Sequence, residues 1–427
     1  MMRRLVLACL CVVASALHAQ QYMRVWSGGD YDQIMLADAG SMPVSDGASI
    51  TIGDRIYPTA AIDSITFGAR IHVAYSGTTA EVTIPQMMAN SVSAQVSGAD
   101  VTITNTNVAE ELEFVLSGTS QAGSFTYNGQ YKATFILNGL NLTSTSTAAV
   151  NIQCGKRIDL KLAEGTDNML EDCASGSQKA ALYCKGHLEL SGAGTLTVKG
   201  NSAHGIGTKE YLVVKKSVRL LAVTGAVKDG IHVGQYYQQN GGIVTIAGNK
   251  GDALQVEAIT LDDGTPDPSK EFNGECFIRG GSLTAAATGD DTVVLKVDAD
   301  IAITGGTLDF RATGAGSRCI KTDGSMTVNQ SDATTSITLY ADGEKYYEGE
   351  DSSRCRLGKV NGDLHFDAGT MTGNMSSSYS GKARGFKVDG TLYWNKSAGA
   401  TYSNMGWEAA KIEVLVTQTS LETSARA

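Results

Sequence analysis

A short template recurs along this chain. An apolar residue is followed six positions later by another, with a brief polar turn between them. Residues 181–188, 205–212, 319–326 and 385–392 all fit it. So does the stretch from Ile152 to Ile158, through Cys154 and Gly155. The first apolar positions are Ile152, Leu182, Ile206, Ile231, Leu254, Leu295, Ile320, Leu357 and Phe386, spaced 30, 24, 25, 23, 41, 25, 37 and 29 residues apart. A floor near 24 with occasional excess describes stacked repeats that carry loop insertions. The excess falls in two polar stretches, residues 262–275 and 341–354.

Within each repeat a second run alternates, as in Leu188-Glu189-Leu190-Ser191 and Leu196-Thr197-Val198. Alternation sends one set of side chains inward and the next outward. Glycine corners separate the runs at Gly192-Ala193-Gly194, Gly241-Gly242, Gly280-Gly281 and Gly305-Gly306. The chain holds 49 glycines but 5 prolines, and no proline lies between Pro85 and Pro266. Proline deletes a ladder hydrogen bond, so many turns with few prolines suit stacked short strands. The pattern therefore predicts an all-β fold, a single-stranded parallel β-helix (solenoid) with an N-terminal β cap region. A β-propeller is disfavoured, because its blades need ~40–45 residues.

The pattern also divides the chain. Residues 1–19 read as a signal peptide: Arg3 and Arg4, an apolar run from Leu5 to Val13, then a small-residue exit ending at Ala19. The boundaries that follow are a short β segment at 20–68, cap strands at 69–142, the repeat region at 143–406, and a terminal strand and tail at 407–427. No later stretch approaches the ~20 apolar residues of a membrane span. The reading is thus of an exported protein, periplasmic, outer-surface or extracellular.

Charge narrows the partners. The formal net charge is -10 and becomes -12 when the two leader arginines are removed. Phosphate binding needs a basic footprint, so nucleic acid is disfavoured. Six of the eight cysteines remain after cleavage, with no CxxC pair. That is neither a zinc pattern nor a dense disulfide framework. Cys154 and Cys184 sit two after their anchors and could stack as buried thiols or form a disulfide; the other four cannot be paired from sequence.

Several motifs resemble a family of secreted bacterial carbohydrate-binding β-helix proteins with a pectate-lyase-like fold. They are Leu137-Asn138-Gly139-Leu140-Asn141-Leu142-Thr143, Leu162-Ala163-Glu164-Gly165-Thr166-Asp167-Asn168 and Gly192-Ala193-Gly194-Thr195-Leu196-Thr197-Val198, continued by His204-Gly205-Ile206 and Asp229-Gly230-Ile231. The resemblance covers roughly residues 81–406. It implies a right-handed parallel β-helix, binding of plant-type or acidic polysaccharide, bound calcium, and no demonstrated lyase activity. The chain departs from the pattern at Asp252-Ala253-Leu254 and at the corners carrying Arg318 and Arg384. Separately, Ala61-Ile62-Asp63-Ser64-Ile65-Thr66-Phe67 is similar to a segment of exported Bacteroidetes-type proteins.

Aligning the anchors converts sequence into rows of side chains. Two before the anchor lie Ala180, His204, Asp229, Asp252 and Arg318, with Asp290 and Asp291 near the same corner. Three after it lie Lys185, Lys209, Gly234, Glu257, Asp298, Asp323 and Asp389. Like charges one strand apart repel, so Glu257, Asp298 and Asp323 call for a cation. Calcium suits several carboxylate oxygens. The candidate metal residues are Asp229, Asp252, Glu257, Asp290, Asp291, Asp298 and Asp323; the competing reading is that Asp and Gly only make turns. One after the anchor lie Tyr183, His232, Lys296 and Lys321, an outward row that could grip uronate carboxylates or simply be a solvated face. Tyr236, Tyr346, Tyr347 and Trp394 are candidate sugar platforms, since flat rings pack on sugar rings.

Three function classes follow. The first is an exported, non-catalytic polysaccharide-binding protein for plant-type or uronate-containing glycans, assisted by calcium. The second is a polysaccharide lyase or glycoside hydrolase, for which no corner shows a tight cluster of acids with an adjacent His or Arg; Asp290-Asp291 is the nearest pair. The third is an adhesin or structural solenoid.

Overall fold

The computed structural model describes residues 21–45, 47–375 and 384–415. The leader-like residues 1–19 therefore lie outside the described residues, as does Thr417 of the terminal strand. Nearly all regular structure is β, and no helix among the described residues is long and apolar enough to cross a membrane.

Parallel hydrogen bonding closes the sheet on itself. Beginning at Ala133–Thr143, one path runs through Ile158–Leu162, Leu188–Ser191, Leu212–Val214 and Tyr237–Gln239 to Cys276–Ala287. The other returns from Cys276–Ala287 through Ile243–Ile246, Leu220–Ala226, Thr195–Gly200 and Asp167–Glu171 to Ala133–Thr143. These ten strands form a closed parallel β-barrel, to which further strands are added. The open right-handed β-helix solenoid expected from the repeat is corrected accordingly. The physical reason lies in two strands longer than the repeat allows for. Ala133–Thr143 and Cys276–Ala287, 11 and 12 residues long, each pair in both paths and tie them together. Closure removes free edges that an open sheet would have to cover.

A further ladder lies beside the ring. It runs from Ser124–Gly129 through Val150–Gln153, Ala180–Cys184, His204–Thr208, Ile231–Val233 and Leu254–Val256 to Val293–Val297, Arg318–Thr322, Arg356–Val360 and Arg384–Asn395. Leu182, Ile206, Ile231, Leu254, Leu295 and Ile320 stand opposite one another in it. Two anchors do not share this row. Val150, not Ile152, faces Leu182, and Gly358, not Leu357, stands between Ile320 and Phe386. Gly358 is required there, since a Cβ would lie 2.4 Å from the Phe386 ring.

Inward side chains from the ring and the added ladder form one continuous core, from Ala69 to Met405. Truncating a fully buried row member such as Ile231 would cost ~2–5 kcal/mol. Strands approach closely at corners such as Gly192 (φ +86), where a Cβ would lie 2.1 Å from the Leu162 carbonyl oxygen. All six described cysteines are free, and every one but Cys173 is buried. Ile152, not Cys154, stands opposite Cys184, so the two thiols are out of register. Burial pushes the Cys184 thiol up to about 12, which leaves it unreactive.

The N-terminal residues build a small antiparallel unit. Gln21–Ser27 pairs with Asp30–Met35 and with Ser64–Ser76, over a separate cluster of Met23, Val25, Ala39 and Ile52. Ser64–Ser76 then continues into the main sheet beside Leu112–Ser120. Glu113, almost fully buried, ties the two parts by accepting from Arg24 and from Arg70, the latter at 2.8 Å.

Candidate functional site: a lysine-rimmed groove with a histidine–carboxylate floor

The outward side of the added ladder carries a groove of about 1000 Å³. Its floor comes from two neighbouring rows. Row one reads Tyr183, Gly207, His232, Gln255 and Lys296. Gly207 has no side chain, and a Cβ there would lie 3.1 Å from the Ala180 Cβ and 3.8 Å from the Tyr183 ring. Row two, three residues earlier on each strand, reads His204, Asp229 and Asp252. Glu257, Asp291 and Thr292 complete the wall, and Lys179, Lys209, Lys228 and Lys250 stand exposed around it.

The floor is tightly connected. Asp229 Oδ2 lies 3.1 Å from His232 Nδ1 and 3.2 Å from His204 Nδ1. The His204 nitrogen is out of line for a hydrogen bond and, although buried, has no other partner among the described residues. The two imidazole rings stack at 4.5 Å. His232 Nε2 lies 3.4 Å from Glu257 Oε2. The Asp252 amide donates to Asp229 Oδ1 at 2.9 Å, and the Val293 amide donates to Asp252 Oδ1 at 2.7 Å. Lys296 Nζ closes the chain at 3.1 Å from Asp252 Oδ2.

These contacts set the protonation states. Burial alone would raise the Asp229 carboxyl, but the two imidazoles outweigh it and hold it well below the carboxylate range. Burial alone would lower His232, but Asp229 and Glu257 overcome it and push the ring up to about 9. The His232 contact lowers Glu257. Burial raises Asp252, only partly offset by Lys296 and the Val293 amide. Burial works against the Lys296 charge, yet Asp252 first, and Asp229 and Glu257 with it, leave its pKa raised. At neutral pH the floor therefore holds two protonated cations and three acids in mutual contact.

Of the residues singled out from sequence, Tyr183, His232, Lys296, Asp229, Asp252, Glu257 and Asp291 line the groove. Tyr346 lies in a smaller adjoining cavity of about 250 Å³ that shares Asp291. Tyr347 projects from the same hairpin, 65% exposed, with Lys345 over its ring at 4.4 Å. Lys321 follows Lys296 in its row but stands outside the groove, 3.8 Å from Asp323. Asp298 and Asp323 stack beyond Glu257, their amides donating to Val256 and Val297. Asp298 Oδ2 accepts from the Ala258 amide at 3.1 Å, and Asp323 from Asn361 at 2.8 Å. Asp290 accepts from the Ala315 amide at 2.9 Å.

Tyr236 and Trp394 are elsewhere. Tyr236 is in a ladder of stacked rings, 4.7 Å from Tyr211, which itself stacks on His187 at 4.3 Å. Phe272 and Phe277 cover its other side edge-on. Trp394 donates Nε1–H to the Ala400 carbonyl at 2.9 Å and packs against Tyr402. His204 was absent from the sequence-based candidates although it shares a row with Asp229. The signal was a histidine one strand from an aspartate at the same offset. Lys209 stood in the row three after its anchor but was passed over, and Lys179, Lys228 and Lys250, in the turns before their anchors, were not singled out.

A family model of carbohydrate-binding domain-containing proteins matches residues 97–380, which includes the whole groove. The chain belongs to that family. A carbohydrate-binding domain-containing protein of Acetivibrio thermocellus is 28% identical over 129 residues. That alignment covers 28% of this chain and 45% of the relative, so the chain spans less than half of that protein's length. A solved polysaccharide lyase-like protein from C. thermocellum, studied as a gadolinium derivative, aligns with a TM-score of 0.48 and 20% identity. It covers 57% of this chain and 92% of that one.

Proposed function

We propose that the groove binds an acidic, uronate-containing polysaccharide without cleaving it. The observation that carries this reading is a concentration of positive charge on an acidic protein. Lys179, Lys209, Lys228 and Lys250 ring the groove, and none has a carboxylate in ion-pair range among the described residues. The whole chain carries a net charge of -10. Uncommitted lysines on a concave surface attract a polyanion and raise its local concentration. Tyr183 offers a half-exposed ring beside them, suited to a sugar face.

The floor favours binding over catalysis. A lyase needs an unprotonated base at its reacting carbon. His232 and Lys296, two of the basic groups at the centre, are both held protonated by their carboxylate partners. Calcium enters this reading outside the floor. Asp298 and Asp323 are exposed neighbours, and burial together with Glu257 and Asp323 raises the Asp298 carboxyl. A hard cation there would relieve the repulsion and bridge a sugar carboxylate. Export through the leader-like residues 1–19 belongs to the same reading.

The test is isothermal titration with polygalacturonate and with a neutral glucan, with and without calcium, alongside ultraviolet absorbance. Binding of the uronate polymer alone, with no unsaturated product, is the expected result. Absorbance growing near the lyase chromophore would establish an enzyme instead. Indifference to both polymers would remove the glycan reading.

A further inference from the structure

The histidine–carboxylate floor does more than an anion grip requires. Three ligand atoms, His204 Nδ1, Asp229 Oδ2 and His232 Nδ1, converge within 4.8 Å of one another. Their spacing has a meaning. A tetrahedral ion with ligand arms of ~2.0–2.1 Å sets neighbouring ligand atoms about 3.3 Å apart. The two nitrogens lie 3.2 and 3.1 Å from the shared oxygen. Those two spacings therefore need shifts of only a few tenths of an ångström, and the two nitrogens lie within 4.8 Å of each other.

Two further features belong to a metal site and are wasted in a simple ion pair. The first is the outer contacts. A ligating histidine usually gives its second nitrogen to a carboxylate, which fixes the ring. Glu257 does this at His232 Nε2, 3.4 Å away, and turns Nδ1 toward Asp229. The Asp252 amide holds Asp229 the same way through Oδ1, leaving Oδ2 aimed at the rings. The second is the orphan. His204 Nδ1 is buried without a hydrogen-bond partner, and an unsatisfied buried polar atom is costly. An ion at the centre gives that nitrogen its partner.

We propose that His204, Asp229 and His232 bind a divalent transition-metal ion of the zinc class. The ion keeps a fourth position open to the groove. Two imidazoles and one carboxylate are borderline ligands, matched to zinc and unsuited to calcium, which takes oxygen. The site stands on its own geometry, whether or not the groove takes a glycan. Asp252, Glu257 and Lys296 are the other charged groups facing it. Lys296 repels an incoming cation, but its ammonium is directed to Asp252. Metal must displace the proton on His232, so binding releases a proton and strengthens as pH rises.

The experiment uses the full chain, stripped with chelator, at pH 8. Zinc and calcium are titrated separately by calorimetry, and cobalt replaces zinc for visible spectroscopy. One equivalent of zinc is expected, with proton release, no calcium competition, and the intense visible bands of four-coordinate cobalt. Glu257→Gln should weaken zinc 10–100-fold, and His204→Ala with His232→Ala more than 100-fold. Absence of stoichiometric zinc binding overturns the proposal, as does an unchanged affinity in the double variant. Should that variant not fold, the cobalt spectrum of the unaltered protein decides alone: octahedral, weak bands reject the site. Polygalacturonate titrated into the stripped protein separates the two ideas. Lost glycan binding with retained zinc removes only the function proposed above, and the reverse removes only the metal.

Discussion

The same row of backbone positions makes two different surfaces. On the strands preceding the long polar insertion it carries His204, Asp229 and Asp252, which are mostly buried and joined to one another. On the later strands it carries Arg318, Arg356 and Arg384. Arg318 reaches Asp291 at 3.3 Å and Arg356 reaches Glu408 at 3.0 Å, acids that are 42% and 57% exposed. Backbone, register and offset are the same in both halves. The difference is that short side chains sink between strands and share protons, whereas long guanidinium arms reach out to solvated partners. Among the described residues, the groove of about 1000 Å³ lies in the first half.

The largest test of this contrast is stability. Asp229→Ala leaves two buried imidazoles without their shared carboxylate and should cost about 3–5 kcal/mol in urea unfolding. Arg356→Ala breaks a pair whose acid is mostly solvated and should cost about 1 kcal/mol. Equal losses would show that the two halves are not different in kind. Next comes affinity. Reversing the rim with Lys209→Glu, Lys228→Glu and Lys250→Glu should weaken polygalacturonate about 100-fold, roughly 3 kcal/mol. Reversing Arg318 and Arg356 should change it less than about threefold, because exposed neighbouring acids already neutralise them.

The halves should also differ in pH response. His232 is raised from 6.5 to about 9. Its contribution is therefore complete below pH 6.5 and fades as pH climbs through 9, on the order of 2 kcal/mol. Asp229 is held below its ordinary value, so its share is present above that value and disappears as acid is added. His232→Gln should flatten the alkaline limb, read from urea midpoints between pH 6 and 10. The smallest effect concerns rings. Tyr183→Ala should lower glycan affinity about fivefold. Tyr236→Ala, its faces already taken, should leave affinity alone and lose about 1 kcal/mol of stability.

Much of this was legible in the residue order, and the errors have definite causes. Alternation and the 24-residue floor pick out Leu182, Ile206, Ile231, Leu254, Leu295 and Ile320, and these stand in one row. Two anchors slipped, Ile152 by two places and Leu357 by one. Near Ile152 alternate residues are equally apolar, and near Leu357 the row position is Gly358, invisible to a search for bulky side chains. Tyr183, His232 and Lys296 were placed on the outward face by parity alone. Tyr236 and Trp394 looked free because a sequence lists rings without saying which other rings cover them.

The sequence by itself settled that this chain is all-β, which side chains point inward, and which rows they share, because a strand's two-residue period is written locally. Only the tertiary structure decided that the sheet closes into a ring, that His204 joins Asp229 and His232, and that four turn lysines meet around one groove. Those outcomes depend on where long strands bend and how far each side chain reaches. Distance between residues some 25 positions apart is a property of the packed chain, which no local period encodes.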